Sequence, residues 1–282
     1  MVERIVVRYT ARASGTAGFF EAAHPRLRSV LRTFLWVGAL LIPVLQACDR
    51  SVPQHVPEVL RVIPHDPGAY TQGLVLHEGR LFESTGQYGS STLRELDPVT
   101  GEVLRSVDLP EEYFGEGLAM VNGRLIQLTW REGVALVWDP DSFDAVDRFE
   151  YEGEGWGLCH DGESLFMTTG GSFLHRRDPV TFAVVETIQI LMAGRALRQV
   201  NELACVGDHV YGNVYMTDQI VRIDKRTGQV TAEIDGSGLH PVGGRPLQED
   251  AVLNGITYDP ATGNFYLTGK LWGSMFEVRF TP

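Results

Sequence analysis

"GEGLAMVNGRLIQLTW", residues 115–130, contains two short apolar runs separated by a turn. The first run follows Glu116, a carboxylate between two glycines, and the second run ends at Trp130. Short apolar runs bounded by glycine-containing turns are typical of β-strands. The stretch therefore predicts two consecutive strands, with a charged residue where a buried strand normally carries a hydrophobic one.

The same pattern occurs five times along the chain. The phrases are TQGLVLH from 71, GEGLAMV from 115, GWGLCHD from 155, NELACVG from 201 and LNGITYD from 253. Their aligned aliphatic residues are 44, 40, 45 and 53 residues apart: Leu74, Leu118, Leu158, Leu203 and Ile256. Each phrase is followed by a second apolar run, and the first four continue into a third and a fourth. Four short strands per repeat of about forty residues indicate a β-propeller blade.

The fifth repeat stops after three strands at Pro282, and residues 57–64, PEVLRVIP, can supply its outer strand. Closing the ring in this way leaves no sheet edge unpaired. We therefore predict an all-β fold, a five-bladed β-propeller over residues 57–282 closed by an N-terminal strand. An α/β fold is disfavoured, because residues 55–282 contain no sustained helical period beyond part of 191–200.

Equivalent positions in the five repeats predict a site. The first strand of each blade lines the central channel of a propeller, and a polar or amphipathic residue lies two positions before each aligned aliphatic residue. These residues are Gln72, Glu116, Trp156, Asn201 and Asn254. We expect them to form one ring around the axis.

The ends of the second strands add to this prediction. Trp130 and Tyr215 occupy a slot that glycine fills in the other repeats, and Lys270 follows one such glycine. Any one of these residues taken alone usually has a structural role. Their coincidence at equivalent positions predicts a pocket with aromatic walls, one carboxylate and one ammonium group.

Other acidic residues are given structural interpretations. An unrelated propeller hydrolase or lyase is a further alternative, and it would need a metal or a second catalytic carboxylate, for which Glu83 and Glu202 are the nearby candidates. Strand alternation predicts that Glu202 points away from the channel, which disfavours this alternative. His65 with Asp66 is interpreted as a turn. The same interpretation applies to the Asp that ends each third strand: Asp97, Asp139, Asp178 and Asp224.

The net charge of the chain restricts the classes of ligand that it can bind. The chain has a net charge of −12, and residues 1–47 hold six Arg and two Glu, so the remainder carries −16. Such an acidic domain repels the phosphates of nucleic acids and of anionic lipids. It can attract a cationic ligand, such as a peptide with a free amino terminus.

The N-terminal segment predicts export. Arg26, Arg28 and Arg32 precede an apolar run over 34–45 that is short for a membrane span. LQAC at 45–48 resembles a bacterial lipoprotein box, which makes Cys48 a candidate lipidation site, although Gln46 departs from the usual small residue. The alternative is a single uncleaved anchor helix. We assign residues 1–48 to this signal segment, 49–56 to a linker and 57–282 to the catalytic domain. We expect the protein to be exported to the periplasm or cell envelope.

The cysteines predict no metal site. Cys159 and Cys205 belong to no C-x-x-C motif, and the chain lacks H-x-H and H-E-x-x-H motifs. We interpret the two cysteines as buried thiols, with a disulfide as the alternative in an exported protein.

Six motifs follow one another between residues 64 and 272, within a resemblance that covers about residues 57–280: PHDPGAYTQGLV, LFESTGQYG, YFGEGLA, GWGL, NEL and VLNGITYD…TGKLW. In this order they resemble the plant-type and bacterial glutaminyl-peptide cyclotransferases. The resemblance implies a five-bladed β-propeller that converts N-terminal glutaminyl residues of peptides into pyroglutamyl and releases ammonia. It also implies a zinc-independent reaction without a cofactor. Plant relatives carry a structural calcium, for which this sequence offers no clear ligand set.

Carried over by position, the resemblance makes Glu116 the proton shuttle. The implied substrate-binding residues are Gln72, Trp130, Trp156, Asn201, Lys270, Tyr70 and Phe114, together with Tyr215 where many relatives have Trp. The competing hypothesis is a non-catalytic propeller that binds exported peptides through the same channel. Because a closed ring needs no partner to cover its edges, we expect a monomer.

Overall fold

The computed structural model describes residues 52–281, which form 22 β-strands and no helix. The strands are β1 (Gln54–Pro64), β2 (Thr71–His77), β3 (Arg80–Thr85), β4 (Thr92–Leu96), β5 (Val103–Asp108), β6 (Gly115–Val121), β7 (Arg124–Thr129), β8 (Val134–Trp138), β9 (Ala145–Glu150), β10 (Leu158–His160), β11 (Leu165–Thr168), β12 (Phe173–Arg177), β13 (Val184–Gln189), β14 (Leu191–Met192), β15 (Arg195–Ala196), β16 (Val200–Val206), β17 (His209–Val214), β18 (Gln219–Asp224), β19 (Val230–Asp235), β20 (Leu253–Asp259), β21 (Asn264–Gly269) and β22 (Ser274–Thr281). The predicted all-β class is confirmed. The predicted signal segment, Cys48 and the start of the linker lie outside the described residues.

The strands form three antiparallel four-stranded sheets, one eight-stranded sheet and a separate short hairpin of β14 and β15. The eight-stranded sheet divides into two four-stranded antiparallel units joined by one parallel pairing, so the sheets can be described as five units. The first four units are β2–β5, β6–β9, β10–β13 and β16–β19, each with its strands in chain order. The fifth unit has the order β20, β21, β22, β1, and β1 pairs antiparallel with β22 from Val56 to Pro64. The first two residues of β1 also pair parallel with β19, which links the fourth and fifth units.

The first strands of the units form a closed cycle of contacts, β2–β6–β10–β16–β20–β2. Glycines in these inner strands allow the backbones to approach closely. A Cβ on Gly117 would lie 2.5 Å from the backbone of Trp156, and a Cβ on Gly157 would lie 1.9 Å from the carbonyl oxygen of Asn201. Side chains at these positions would force the inner strands apart.

A one-residue shift in register interrupts four of the inner strands at the same place. The shifts lie between Thr71 and Gly73, Gly115 and Leu118, Val200 and Leu203, and Leu253 and Ile256. Such a β-bulge breaks the regular alternation of side chains and changes their direction. Gln72, Glu116, Asn201 and Asn254 all lie within these irregular segments, so the bulges help to direct them.

The core lies between neighbouring units. Five apolar clusters are each shared by two adjacent units, the last by the first and fifth. The aligned aliphatic residues are at most 1% exposed: Leu74, Leu118, Leu158, Leu203 and Ile256. Full burial of such a side chain contributes about 1.5–3 kcal/mol. The repeated aliphatic positions therefore hold the inner ring together.

Four turn aspartates behave as predicted. In each case Oδ1 accepts backbone N–H bonds from the residues two and three positions later: Asp97, Asp139, Asp178 and Asp224. Asp66 also caps a turn, through the N–H of Gly68.

His65, in contrast, was wrongly interpreted as a turn residue. It is buried, and its Nε2 lies 3.0 Å from Oε1 of Glu83 while its Nδ1 lies 2.9 Å from the carbonyl oxygen of Trp272. Arg94 donates to Oε2 of Glu83 at 2.6 Å. This buried charge cluster joins the segment that follows β1, in the fifth unit, to the first unit.

Cys159 and Cys205 form a disulfide with their Cα atoms 5.5 Å apart. The interpretation as two buried thiols was therefore wrong. The residues lie on the adjacent inner strands β10 and β16, which brings together cysteines separated by 46 positions. Among the described residues, no helix is long and apolar enough to cross a membrane.

Candidate active site

A cavity of about 360 Å³ lies among the starts of the inner strands and the ends of the second strands. Nine of the ten cavity residues predicted from the sequence line it: Tyr70, Gln72, Phe114, Glu116, Trp130, Trp156, Asn201, Tyr215 and Lys270. Gln87, Tyr88 and Asp250 also line it and were not predicted. Asn254 lies outside the lining, where it contacts Gln72.

Glu116 is the buried carboxyl group of this cavity and is only 4% exposed. Its Oε1 accepts a 2.8 Å hydrogen bond from Nε2 of Gln72, and its Oε2 has no partner among the described residues. Burial raises the pKa of Glu116 well above its ordinary value; Lys270 opposes this rise, and Glu154 and Glu132 add to it. A carboxyl group with a raised pKa and an unpartnered oxygen is suited to exchange a proton with a ligand.

A chain of amides fixes the direction of Gln72. Nδ2 of Asn254 donates to the carbonyl oxygen of Thr71 at 2.9 Å and to Oε1 of Gln72 at 3.2 Å. Because the oxygen of Gln72 is occupied in this way, its NH₂ group is directed towards Glu116. Asn201 lies across the cavity, and its Oδ1 has no partner among the described residues. That oxygen is buried and lacks the hydrogen bond that a donor such as a ligand N–H would supply.

Lys270 is 2% exposed and lies between two tyrosines. Its Nζ is 4.5 Å from the ring centroid of Tyr70 and 4.9 Å from that of Tyr215, so cation–π attraction stabilises the ammonium group. Burial lowers the pKa of Lys270 to about 8, although the charges of Glu116 and Asp250 oppose this. Lys270 is therefore mostly charged at neutral pH and can stabilise a developing negative charge.

Aromatic rings form the walls. Phe114 packs against Trp130 with centroids 5.4 Å apart, and Trp156 meets Tyr215 edge to face at 5.7 Å. The glycines at the ends of other second strands make room for these rings. A Cβ on Gly86 would lie 2.2 Å from Phe114, and one on Gly170 would lie 2.5 Å from Trp156. Aromatic residues and glycines therefore alternate at the ends of the second strands, and this alternation shapes the cavity.

Asp250 was missed because it lies in the segment between β19 and β20, outside the repeat. Its Oδ2 accepts a 2.8 Å hydrogen bond from the hydroxyl of Tyr70. The greater spacing before the fifth repeat, 53 residues, was the only signal that this segment carries something additional.

Glu202 and Glu83 are the two other carboxyl groups that the sequence suggests near the channel. The prediction that Glu202 points away from the channel is wrong. Its Oε1 accepts the N–H of Leu74 at 2.8 Å, although Leu74 belongs to β2 and Glu202 to β16, which are not neighbours in the ring. The bulge in β16 explains the error, since it breaks the alternation on which the prediction depended. Glu83 is held in the buried cluster with His65 and Arg94 and does not line the cavity.

Within residues 52–281, no group of three or more His, Cys, Asp or Glu side chains could hold a metal ion. A second cavity of about 290 Å³ is lined by later residues of the same inner strands and contains no carboxyl group in its lining. Of these two cavities, only the first has a carboxyl group in its lining, together with an ammonium group and aromatic rings.

A cavity with a buried carboxyl group, a buried ammonium group and aromatic walls defines a class of protein, a β-sheet enzyme that takes a small polar group into an apolar pocket. Residues 35–280 match the family model described as Glutamine cyclotransferase. The chain is 38% identical over 229 residues to the Glutaminyl-peptide cyclotransferase of Arabidopsis thaliana, which covers 79% of this chain and 70% of that protein. Its structure matches the crystal structure of Myxococcus xanthus Glutaminyl Cyclase with a TM-score of 0.76 and 37% identity, covering 82% of this chain and 98% of that chain. The chain thus belongs to the glutamine cyclotransferase family and is an enzyme of that family.

Proposed function

We propose that this enzyme converts the N-terminal glutaminyl residue of peptides and proteins into pyroglutamyl, with Glu116 as general acid and base. The observation that carries the proposal is the unpartnered Oε2 of the buried Glu116 in an aromatic cavity. The family and the names of the two relatives support the substrate class.

The reaction needs one proton to move between two nitrogens. The carboxylate of Glu116 takes a proton from the substrate α-ammonium, and the free amine attacks the side-chain amide carbon. Glu116 then protonates the departing NH₂ as the carbonyl reforms, and it accepts the remaining extra proton from the ring nitrogen. The products are the five-membered lactam and ammonia, and a proton passed from Glu116 to solvent or ammonia restores the carboxylate.

The surroundings of Glu116 suit both roles. An α-amino group has a pKa of about 7.7–8, and a carboxyl group with an ordinary pKa would be too weak a base to deprotonate it. Burial raises the pKa of Glu116 and narrows this gap. The same rise makes the neutral form a competent acid for the departing NH₂.

The other cavity residues orient the substrate and stabilise charge. Attack produces an oxyanion on the amide oxygen, which the ammonium group of Lys270 stabilises electrostatically. Asn201 and Gln72 form hydrogen bonds with the polar atoms of the glutaminyl residue. The walls formed by Trp130 and Trp156 hold the side chain folded, which reduces the entropic cost of ring closure.

We also propose that the five units are blades of a β-propeller and that residues 57–282 form its catalytic domain. Support comes from the closed cycle of inner-strand contacts and from the pairing of β1 with β22. Because β1 covers the outer edge of β22, the fifth unit needs no second copy to complete it, and we propose a monomer.

Residues 1–48 are proposed to direct the chain to the periplasm or cell envelope, with Cys48 as the lipidation site. The disulfide between Cys159 and Cys205 supports export, because disulfides persist mainly in oxidising compartments. Metabolic labelling with a radioactive fatty acid tests this. The native chain should be labelled and a Cys48→Ser variant should not, whereas an unlabelled native chain would contradict lipidation.

The proposed activity is tested by ammonia release from a Gln-Ala dipeptide, with Asn-Ala as the matched control. Asn-Ala has the same functional groups, but its cyclisation would give a strained four-membered ring. We expect ammonia from Gln-Ala only. Absence of ammonia from Gln-Ala would contradict the proposal.

The proposed proton transfer uses no metal ion. Dialysis against EDTA should therefore leave the rate unchanged. A loss of activity that zinc restores would contradict this part of the proposal.

A further inference from the structure

Glu154 lies in the loop between β9 and β10 and contacts both tryptophans of the cavity. One carboxylate oxygen, Oε2, accepts hydrogen bonds from Nε1 of Trp130 at 3.1 Å and from Nε1 of Trp156 at 2.9 Å. Trp130 follows β7 in the second unit, and Trp156 precedes β10 in the third unit. A single oxygen atom therefore joins two walls that come from different units.

The other oxygen of Glu154 has its own partner. Oε1 accepts a 3.2 Å hydrogen bond from Nε of Arg131, whose guanidinium group stacks 3.6 Å from the ring centroid of Trp130. Burial opposes ionisation of Glu154, but the hydrogen bonds from Trp156, Trp130 and Arg131 lower its pKa below the ordinary value. The carboxylate is charged at neutral pH, and hydrogen bonds to a charged acceptor are stronger than neutral ones.

We propose that Glu154 is a positioning residue that sets the separation and tilt of Trp130 and Trp156, and thereby the width of the pocket that receives the glutaminyl side chain. The inference rests on the proposed function of this cavity. Without the shared acceptor, each indole ring is free to rotate about its side-chain bonds, and the folded conformation needed for ring closure loses its support.

The length of the Glu154 side chain provides a sharp test, because reach and charge can be separated. Glu154→Gln keeps an oxygen acceptor at the same distance and removes the charge. Glu154→Asp keeps the charge, but its shorter side chain cannot reach both indoles. Glu154→Ala removes both properties. The matched control is Glu152→Ala, which removes an exposed carboxylate from the same loop.

The expected result is a specific order of the variants in steady-state cyclisation of Gln-Ala. Loss of the two indole hydrogen bonds should lower kcat/KM about tenfold in the Ala and Asp variants, through both KM and kcat, because the walls bind the substrate and also hold it folded for ring closure. The Gln variant should remain within about threefold of wild type, and Glu152→Ala should equal it. Thermal unfolding identifies a variant that fails to fold. If Glu154→Ala fails to fold, the comparison of Glu154→Asp with Glu154→Gln still tests the positioning role.

A binding measurement separates this inference from the proposed function. Quenching of tryptophan fluorescence by a pyroglutamyl-alanine dipeptide reports occupancy of the cavity without turnover. Weaker binding of this dipeptide by Glu154→Asp, with unchanged binding by Glu154→Gln, supports the positioning role even if the wild-type enzyme releases no ammonia. Full activity and binding in both the Ala and Asp variants, or a Gln variant as impaired as Ala while Asp is active, would overturn it.

Discussion

Nε2 of Gln72 donates a 2.8 Å hydrogen bond to Oε1 of Glu116, and this bond joins the inner strands of the first and second units inside the cavity. The bond favours the carboxylate form, because it is donated to a carboxylate oxygen. It also leaves the other oxygen, Oε2, without a hydrogen-bond partner among the described residues. The pair explains how a buried carboxyl group is held in one orientation without losing its reactive oxygen.

Removal of this bond should impair catalysis without unfolding the protein. In Gln72→Ala, Glu116 is free to rotate and its pKa rises further, and kcat/KM for Gln-Ala should fall about tenfold. Gln229→Ala, which changes an exposed glutamine, is the control. A Gln72→Ala enzyme with wild-type kcat/KM would show that the bond does not orient Glu116.

Lys270 should produce an alkaline limb in the pH–rate profile. Because the pKa of Lys270 is about 8, its charge is present below that pH and is lost above it. Activity that depends on the charge should fall as the pH rises through about 8. In Lys270→Met, kcat/KM at pH 7 should be about a hundredfold lower, and the limb should be absent.

The control for Lys270 is the other lysine of the chain, Lys225, which pairs with Asp161 away from the cavity. Lys225→Met should retain both activity and the limb. If Lys270→Met instead kept a limb near pH 8, that limb would belong to another group.

The cluster of His65, Glu83 and Arg94 should make stability depend on pH. Burial alone would raise the pKa of Glu83, but His65 and Arg94 bring it from 4.5 to about 2. The stabilisation from Glu83 is therefore present above pH 4.5 and is lost as the pH falls towards 2. For His65, burial is outweighed by Glu83 and the carbonyl of Trp272, which raise its pKa above 6.5. Its contribution is present below pH 6.5 and is lost as the pH rises through the raised value.

Glu83→Gln tests this cluster. The variant leaves buried charges without their partner and should lower the free energy of unfolding by about 3–5 kcal/mol. Urea unfolding at several pH values should give the greatest difference from wild type between about pH 4.5 and 6.5. If the difference in the free energy of unfolding between wild type and Glu83→Gln did not vary between pH 2 and 6, the assigned pKa directions would be contradicted.

The disulfide should stabilise the fold rather than take part in the reaction. Joining residues 46 positions apart should contribute about 2–4 kcal/mol to the free energy of unfolding. Replacing Cys159 and Cys205 by Ser should lower the urea midpoint and leave kcat unchanged at low temperature. A variant with unchanged stability would indicate that the two cysteines are reduced in the native protein.

The sequence was informative wherever a feature repeats. The aligned aliphatic residues predicted the inner strands, and the positions of Glu116 and Lys270 relative to them predicted members of one cavity. Equivalent positions in a repeat lie at equivalent places in space, so one aligned phrase locates several side chains at once.

Features that depend on irregular geometry were not predictable in this way. Glu202 was misplaced because the bulge in β16 leaves no residue-type signal of its own. Asp250 and Glu154 lie in segments between repeats, where no alignment assigns a direction to a side chain. The bond between Cys159 and Cys205 had a signal, since both follow aligned leucines of neighbouring repeats, but spacing alone does not decide whether two thiols are joined.

Single-turnover cyclisation of Gln-Ala by Glu116→Gln tests the central claim most directly. The substitution preserves size and hydrogen bonding but cannot exchange the proton, so the rate of ammonia formation at pH 7 should fall by a factor of about 10²–10⁴. Glu112→Gln, which changes an exposed carboxylate nearby, should react at the wild-type rate. A Glu116→Gln enzyme that forms ammonia as fast as wild type would show that the proton moves by another route.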